Sequence, residues 1–208
     1  INAFTPLQLA QKFTNEFNLE LENFITQICR SSYRFIGFST TIASTWIAVY
    51  LAHQVKLRDP SKITILGGPG CYWNTLMLDP ERLVDIFVVG EGELPLLEIL
   101  NRFKNENSLS ALLGIQGTII CIDKEYHSFL PPNPIKRLDD IPFMELSGFN
   151  RKNYNRDNKY YPLPLLISRG CINKCSYCVD HKMNHPFRIR DPYKVLEEIK
   201  LYRNNYDI

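Results

Sequence analysis

From Pro6 to Arg30 the apolar residues fall at Ala10, Phe13, Phe17, Leu21, Phe24 and Ile28, stepping three or four positions at a time. That spacing predicts one long helix with a single apolar face. RFIGFS, 34–39, is a short continuous apolar run and reads as a buried strand, followed by the Ser/Thr-rich loop STTIAST. A second helix is predicted over 45–57, stopping before Asp59-Pro60. KITILGG, 62–68, and VDIFVVGEGE, 84–93, repeat the strand pattern, and each ends in glycines. Between them Asp79-Pro80 reads as an N-cap and first helical residue opening a short helix. LPLLEILNRF then continues as a helix.

Strands that are nearly all apolar and alternate with helices imply a parallel sheet covered on both faces. Residues 1–107 are therefore expected to form a doubly wound α/β domain that lacks its first strand. GIQGTIICIDKEYHSF has the pattern of a β-hairpin turning near Asp123-Lys124, and PPNPIKRLDDIPFMELSGFN is broken by Pro131, Pro132, Pro134 and Pro142. The stretch 108–160 is accordingly read as a hairpin and a Pro-rich linker. Beyond it PLPLLIS, 162–168, is a predicted strand, and DPYKVLEEIKLYRNN is a predicted helix with Asp191 as N-cap and Pro192 as first helical residue. Strand, loop, helix is the unit of a β/α barrel, which presents its sites at the C-terminal ends of its strands. Residues 161–208 are expected to be the start of such a barrel, truncated.

Composition narrows this picture only modestly. The chain has 208 residues, 45% of them hydrophobic and 22% charged, with 24 Lys+Arg against 22 Asp+Glu. A net charge of +2 gives no signal for nucleic acid. No run approaches the roughly 18 consecutive apolar residues of a membrane span. Cys29, Cys71 and Cys121 are scattered singly, which is not a disulfide framework, so a reducing, cytoplasmic setting is expected. The chain opens on Ile1 and closes where a helical pattern gives way, so it reads as an internal piece of a longer protein.

The chemistry concentrates in LISRGCINKCSYCVDH, 166–181, where Cys171, Cys175 and Cys178 are spaced by three and two residues. Thiolates at such spacing let one loop wrap a compact soft-metal centre. Three ligands leave one position open, the mark of a catalytic rather than a structural centre. The bland alternative is a zinc site with His181 or His185 as fourth ligand, on a non-catalytic binding module. Zinc patterns, however, usually split their cysteines into two separated pairs.

RGCINKCSYC resembles the signature loop of the radical S-adenosylmethionine (SAM) superfamily, C-x3-C-x-aromatic-C, with Tyr177 at the aromatic position. The resemblance implies a 4Fe-4S cluster on Cys171, Cys175 and Cys178, with SAM on the open iron and Tyr177 beside its adenine. It also implies reductive cleavage of SAM to a 5′-deoxyadenosyl radical, which takes a hydrogen atom from a small-molecule or peptide substrate. A one-electron donor such as flavodoxin or ferredoxin would feed the cluster. No catalytic residue is assigned beyond the cluster ligands.

GFSTTIAST, ITILGGPG and DIFVVGEGE, followed by LDDIP, resemble the cobalamin-binding, Rossmann-like domain that precedes the barrel in one large radical SAM subgroup. The resemblance implies contacts to cobalamin from Ser39, Thr40, Thr41, Gly67, Gly68, Pro69, Gly90, Glu91, Gly92 and Glu93. Such sheets bind ligands beyond the carboxyl ends of their strands. The Asp-x-His-x-x-Gly motif that supplies an axial histidine in many cobalamin proteins does not occur here. Most consistent with the whole is a cobalamin-dependent radical SAM methyltransferase. The alternative is a radical SAM enzyme of rearrangement, cyclisation or sulfur insertion whose N-terminal domain only docks. His53 and His127 read as core or surface residues, and Trp46 and Trp73 as packing. Arg188 and Arg190, in FRIR, read as anion contacts or a solvated loop.

Overall fold

The structure is a computed structural model that describes residues 12, 15–71, 73–128, 130–148, 163–173, 175, 176, 178 and 184–206. The chain divides into two compact units, 1–133 and 134–208.

The first unit is a five-stranded sheet in the order β1-β2-β3-β4-β5. Its elements are helix α1 (Asn18–Arg30), β1 (Phe35–Ser39), α2 (Thr45–Arg58), β2 (Ile63–Gly67), β3 (Ile86–Val88), α3 (Glu93–Glu106), β4 (Thr118–Ile122) and β5 (Glu125–His127). β1, β2 and β3 are parallel, with Ser39 opposite Gly67 and Ile65 opposite Ile86. β4 runs antiparallel to β3, and β5 antiparallel to β4. The expected all-parallel sheet is thus corrected to three parallel strands extended by a hairpin. That hairpin, set apart from the α/β domain by the sequence reading, pairs directly on its sheet. Its turn is Asp123-Lys124, both left-handed at φ 50° and 61°, which is the conformation that matches the twist of the flanking strands.

Both faces of the sheet are covered, because alternate residues of each strand feed two different cores. Leu66, Phe87, Val89 and Ile119 pack with Ala48, Val49 and Ala52 of α2. Ile63, Ile65, Ile86, Val88 and Ile120 pack with Ile99 and Phe103 of α3. α1 packs on α2 and buries Ile25, with Phe24 on its exposed side. The buried face of α1 is therefore rotated from the stripe expected through Phe17 and Phe24; residues 6–11, 13 and 14 of that predicted helix, Ala10 and Phe13 among them, lie outside the described residues.

Asp79-Pro80 opens no helix. The turn of 3-10 helix in this region, Trp73–Leu78, ends before Asp79, and Arg82 is left-handed at φ 52°. The Asp79 carboxylate instead accepts the N–H groups of Leu83 and Val84, both at 3.0 Å, capping the loop that enters β3. No helix among the described residues is long and apolar enough to cross a membrane.

The second unit contains a 3-10 turn at Leu138–Asp140, β6 (Ser168–Arg169), β7 (Arg188–Ile189) and helix α4 (Pro192–Tyr206). Of the strand expected at 162–168, Ser168 alone among the described residues is paired, and with Arg169 it runs antiparallel to Ile189 and Arg188. α4 starts as expected, with Asp191 Oδ1 accepting the Tyr193 N–H at 2.8 Å. The Pro-rich segment is not simply a linker, since Ile135, Leu138 and Leu146 are buried.

Candidate functional site

Two places carry the candidate chemistry, one in each unit. In the first, the two ends of the parallel strands are built differently. The N-terminal ends are tied by buried charge. Asp85 accepts the Thr64 N–H at 2.8 Å and its hydroxyl at 3.0 Å, and forms an ion pair with Lys56 Nζ at 2.8 Å. Nearby Asp79, 1% exposed, accepts from His53 Nε2 at 2.6 Å and from the Tyr126 hydroxyl at 2.9 Å. Burial alone would raise the Asp79 carboxyl; the bonds from His53, Leu83, Val84 and Tyr126 outweigh it and hold the group below the usual carboxylate value. His53 is thus a partner of a structural carboxylate, in line with the expectation of a core or surface role.

The C-terminal ends are open. Gly37, Phe38, Ser39, Ile65, Gly67, Gly68, Val88, Gly90, Gly92, Glu93 and Leu96 line a cleft of about 490 Å³. That volume lies in the range of small-ligand sites, roughly 300–1,000 Å³. On the sheet face that packs against α3, β1 to β3 pass from Phe35, Ile63 and Ile86 in the core to Gly37, Gly67 and Gly90 at the cleft, which the first turn of α3 also lines. Gly37 is the clearest case: a Cβ there would meet nothing within 4 Å. The lining is mostly apolar, with Ser39 and Glu93, the first residue of α3, as its polar side chains.

Ser39, Gly67, Gly68, Gly90, Gly92 and Glu93 of the expected contacts line this cleft; Thr40, Thr41, Pro69 and Glu91 do not. Thr40 is 1% exposed and directs both its N–H (2.8 Å) and its hydroxyl (3.0 Å) to the Gly67 carbonyl. The Thr45 hydroxyl bridges the carbonyls of Thr41 and Gly70. These hydroxyls join the β1 and β2 loops to each other, which explains Gly70: a Cβ would fall 2.4 Å from the Thr41 backbone. Gly37, Phe38, Ile65, Val88 and Leu96 were missed from the sequence. The alternation of side chains along β1 to β3, which places Gly37, Ile65 and Val88 on one face, was the signal that would have found those three; Phe38, on the other face, and Leu96, on α3, carried no such signal.

The second place is the cysteine loop of the other unit. Cys171, Cys175 and Cys178 are free thiols, all half-buried. The Asn173 N–H points at Cys171 Sγ at 3.4 Å, and the Cys178 N–H bonds the Cys175 carbonyl at 3.1 Å. The donor set suits a soft metal centre: three thiols on one short loop, none used in a disulfide, with a backbone donor on one sulfur. Among the described residues no three metal-ligating side chains are already gathered around a point. Tyr177 and His181 lie outside the described residues, and His185 is exposed.

Arg188 and Arg190 are not in a solvated loop; they are 8% and 4% exposed. Arg190 meets a carboxylate of its own unit, Glu198, whose other oxygen accepts the Tyr202 hydroxyl at 2.6 Å. Arg190 Nε and Nη2 have no hydrogen-bond partner among the described residues. The Phe143 ring, with its centroid 5.5 Å from the guanidinium carbon, partly compensates them.

No protein-family model matches the chain. It is 27% identical over 155 residues to an anaerobic magnesium-protoporphyrin IX monomethyl ester cyclase of Cereibacter sphaeroides, covering 72% of this chain and 24% of that protein. It is 24% identical over 178 residues to an uncharacterized methyltransferase of Pyrococcus horikoshii, covering 83% of this chain and 37% of that one. Among solved structures it matches the radical S-adenosylmethionine methyltransferase TsrM of Kitasatospora setae in two states. With tryptophan substrate and a SAM analogue bound, the TM-score is 0.60 at 14% identity, over 92% of this chain and 39% of that one. With cobalamin and a [4Fe-4S] cluster bound, it is 0.54 at 16% identity, over 88% and 37%. The chain therefore spans between a quarter and two fifths of the length of the proteins it matches. The fold is that of the matching part of TsrM, a radical SAM methyltransferase, in keeping with the resemblance read from the sequence.

Proposed function

We propose that the chain is part of a cobalamin-dependent radical SAM enzyme that transfers a methyl group. The observation that carries this reading is the cysteine loop: three free thiols between β6 and β7, in a chain whose fold matches a radical SAM methyltransferase. In this reading Cys171, Cys175 and Cys178 hold a 4Fe-4S cluster, and Tyr177 lies against the adenine of SAM. When bound, the cluster supplies the electron that cleaves SAM, and the corrinoid supplies the methyl group. The chain's own residues bind and orient. Gly37 and Gly67 leave side-chain-free backbone in the cleft where part of the corrinoid would be held, and Ser39 and Glu93 would bond its polar groups. The three thiols would hold the iron, and because they are not gathered beforehand, loop order and metal binding would be coupled. A flavodoxin or ferredoxin in a reducing cytoplasm delivers the electron.

Anaerobic reconstitution with iron and sulfide tests the first half. Uptake of about four irons per chain is expected, and tight stoichiometric zinc in place of iron would end the enzyme reading. Hydroxocobalamin titration tests the second half. Gly37→Leu is a sharp control, because its side chain enters the empty cleft with no backbone strain. Cobalamin affinity is expected to fall tenfold or more, which is about 1.4 kcal/mol, with thermal stability held or slightly raised. Equal affinity of wild type and Gly37→Leu would move the corrinoid out of this cleft.

A second reading, radical cyclisation, is favoured by the cyclase of Cereibacter sphaeroides among the relatives. SAM carrying a labelled methyl group separates the two. Label in the product means methyl transfer; 5′-deoxyadenosine with an unlabelled product means the second reading.

A further inference from the structure

We infer that Arg188 is a positioning residue for the cysteine loop, an inference that rests on the reading of that loop as the cluster site. The loop leaves β6 at Gly170 and returns through 184–187 to β7. Gly170 has a φ of 81°, and a Cβ there would fall 2.3 Å from the Asn184 carbonyl oxygen and 3.1 Å from that of Pro186. The outgoing and returning limbs therefore cross backbone on backbone, one residue before Cys171. Directly behind this crossing, Arg169 pairs with Arg188 in the β6–β7 ladder.

The Arg188 side chain turns back across the same neck. Its Nε donates to the Pro186 carbonyl at 2.9 Å, its Nη2 to the Asn184 carbonyl at 3.1 Å, and its Nη1 to the Ile135 carbonyl. Two of these carbonyls are the ones pressed against Gly170. The third belongs to the Pro-rich segment of the same unit. One planar guanidinium thus fixes the returning limb against Gly170 and anchors it outside the loop, a task matched to five donors in a rigid fork and not to a single ammonium. Arg190 extends the anchor: its N–H bonds the Ile167 carbonyl at 2.9 Å, its Nη1 the Leu166 carbonyl at 3.2 Å, and its guanidinium pairs with Glu198 of α4. The residues before Cys171 and after Cys178 are in this way held to a common frame.

The consequence is a loop whose three ligands are displaced when the neck loosens. Partners that orient metal ligands are worth about 10- to 100-fold in metal affinity. In the full-length protein, Arg188→Lys keeps the charge and removes the fork. After anaerobic reconstitution, the variant is expected to lose iron to a chelator at least about tenfold faster than wild type. The electron paramagnetic resonance spectrum of its reduced cluster should also respond differently to SAM, while its far-ultraviolet dichroism stays as in wild type. Wild-type chelator resistance together with a wild-type spectrum in Arg188→Lys would overturn the inference. A wild-type protein that takes up no cluster would instead overturn the cluster reading. Hydrogen exchange of the metal-free protein then decides the positioning claim: exchange about tenfold faster in Arg188→Lys across 168–189 supports it, and unchanged exchange refutes it.

Discussion

Replacing Asp79 by alanine is expected to destabilise the α/β unit by about 3–5 kcal/mol, the range for removing one partner of a buried charged network. The carboxylate is the shared acceptor for the His53 ring, the N–H groups of Leu83 and Val84, and the Tyr126 hydroxyl, which also bonds the Asp79 backbone carbonyl at 3.0 Å. Each buried donor left unpaired costs on the order of 1–3 kcal/mol, and because the donors share one partner the losses do not simply add. The groups come from α2, the loop before β3, and β5, so the damage spreads across the sheet. Asp79→Asn keeps an acceptor and is expected to lie between alanine and wild type. Urea unfolding followed by tyrosine fluorescence measures both, and a loss under about 1 kcal/mol for Asp79→Ala would show the network to be incidental.

The same residue sets an acid limit. Its folded pKa lies below its unfolded value, about 3.9, in the direction given by its hydrogen bonds. The stability it contributes is therefore present above that unfolded value and is lost as pH falls through the folded one. Wild type is expected to lose stability on acidification below about pH 4, with a shallower slope in Asp79→Asn. Parallel slopes would assign the acid limb to other carboxylates.

The largest expected effect on function comes from the three loop cysteines. Changing Cys171, Cys175 or Cys178 singly to serine removes a soft ligand and offers a hard hydroxyl in its place. Iron uptake is expected to drop from about four per chain to near zero, and reductive cleavage of SAM to background. Cys29→Ser, in α1, is the matched control and should change neither. One loop variant that retained the full cluster and normal SAM cleavage would remove that cysteine from the ligand set.

How much of this was legible beforehand depended on whether the cause was local. The apolar runs at 34–39, 62–68 and 84–93 announced β1 to β3, because a strand buried on both faces has no polar alternation to hide it. Asp191-Pro192 announced α4 for an equally local reason, the capping of its own first turn. Asp79-Pro80 carries the same dipeptide signal but belongs to a loop, since its carboxylate is held by His53, 26 residues before it, and by Tyr126, 47 residues after it. Of the two readings open for Arg188 and Arg190, the solvated loop failed for the same reason, while Arg190 does meet a carboxylate. Their acceptors are backbone carbonyls and one glutamate placed by tertiary structure, and nothing in FRIR names them. The cleft was legible in Gly67, Gly68, Gly90 and Gly92 but not in Gly37. Gly37 is ordinary in sequence and becomes informative only when β1, β2 and β3 lie side by side.

The burial of two cysteines has a practical corollary in thiol chemistry. Cys71 and Cys121 are pushed up to about 12 and about 11, in both cases chiefly by burial, so almost none of either is thiolate at neutral pH, and the thiolate is the form that alkylating reagents attack. The native metal-free chain should therefore be labelled at Cys29, Cys171, Cys175 and Cys178 first, and at the remaining pair only after denaturation. A timed alkylation followed by mass spectrometry would then count protected ligands directly. Iron binding would be read as the disappearance of three labels against a constant background of one, with no need for the spectrum of the metal.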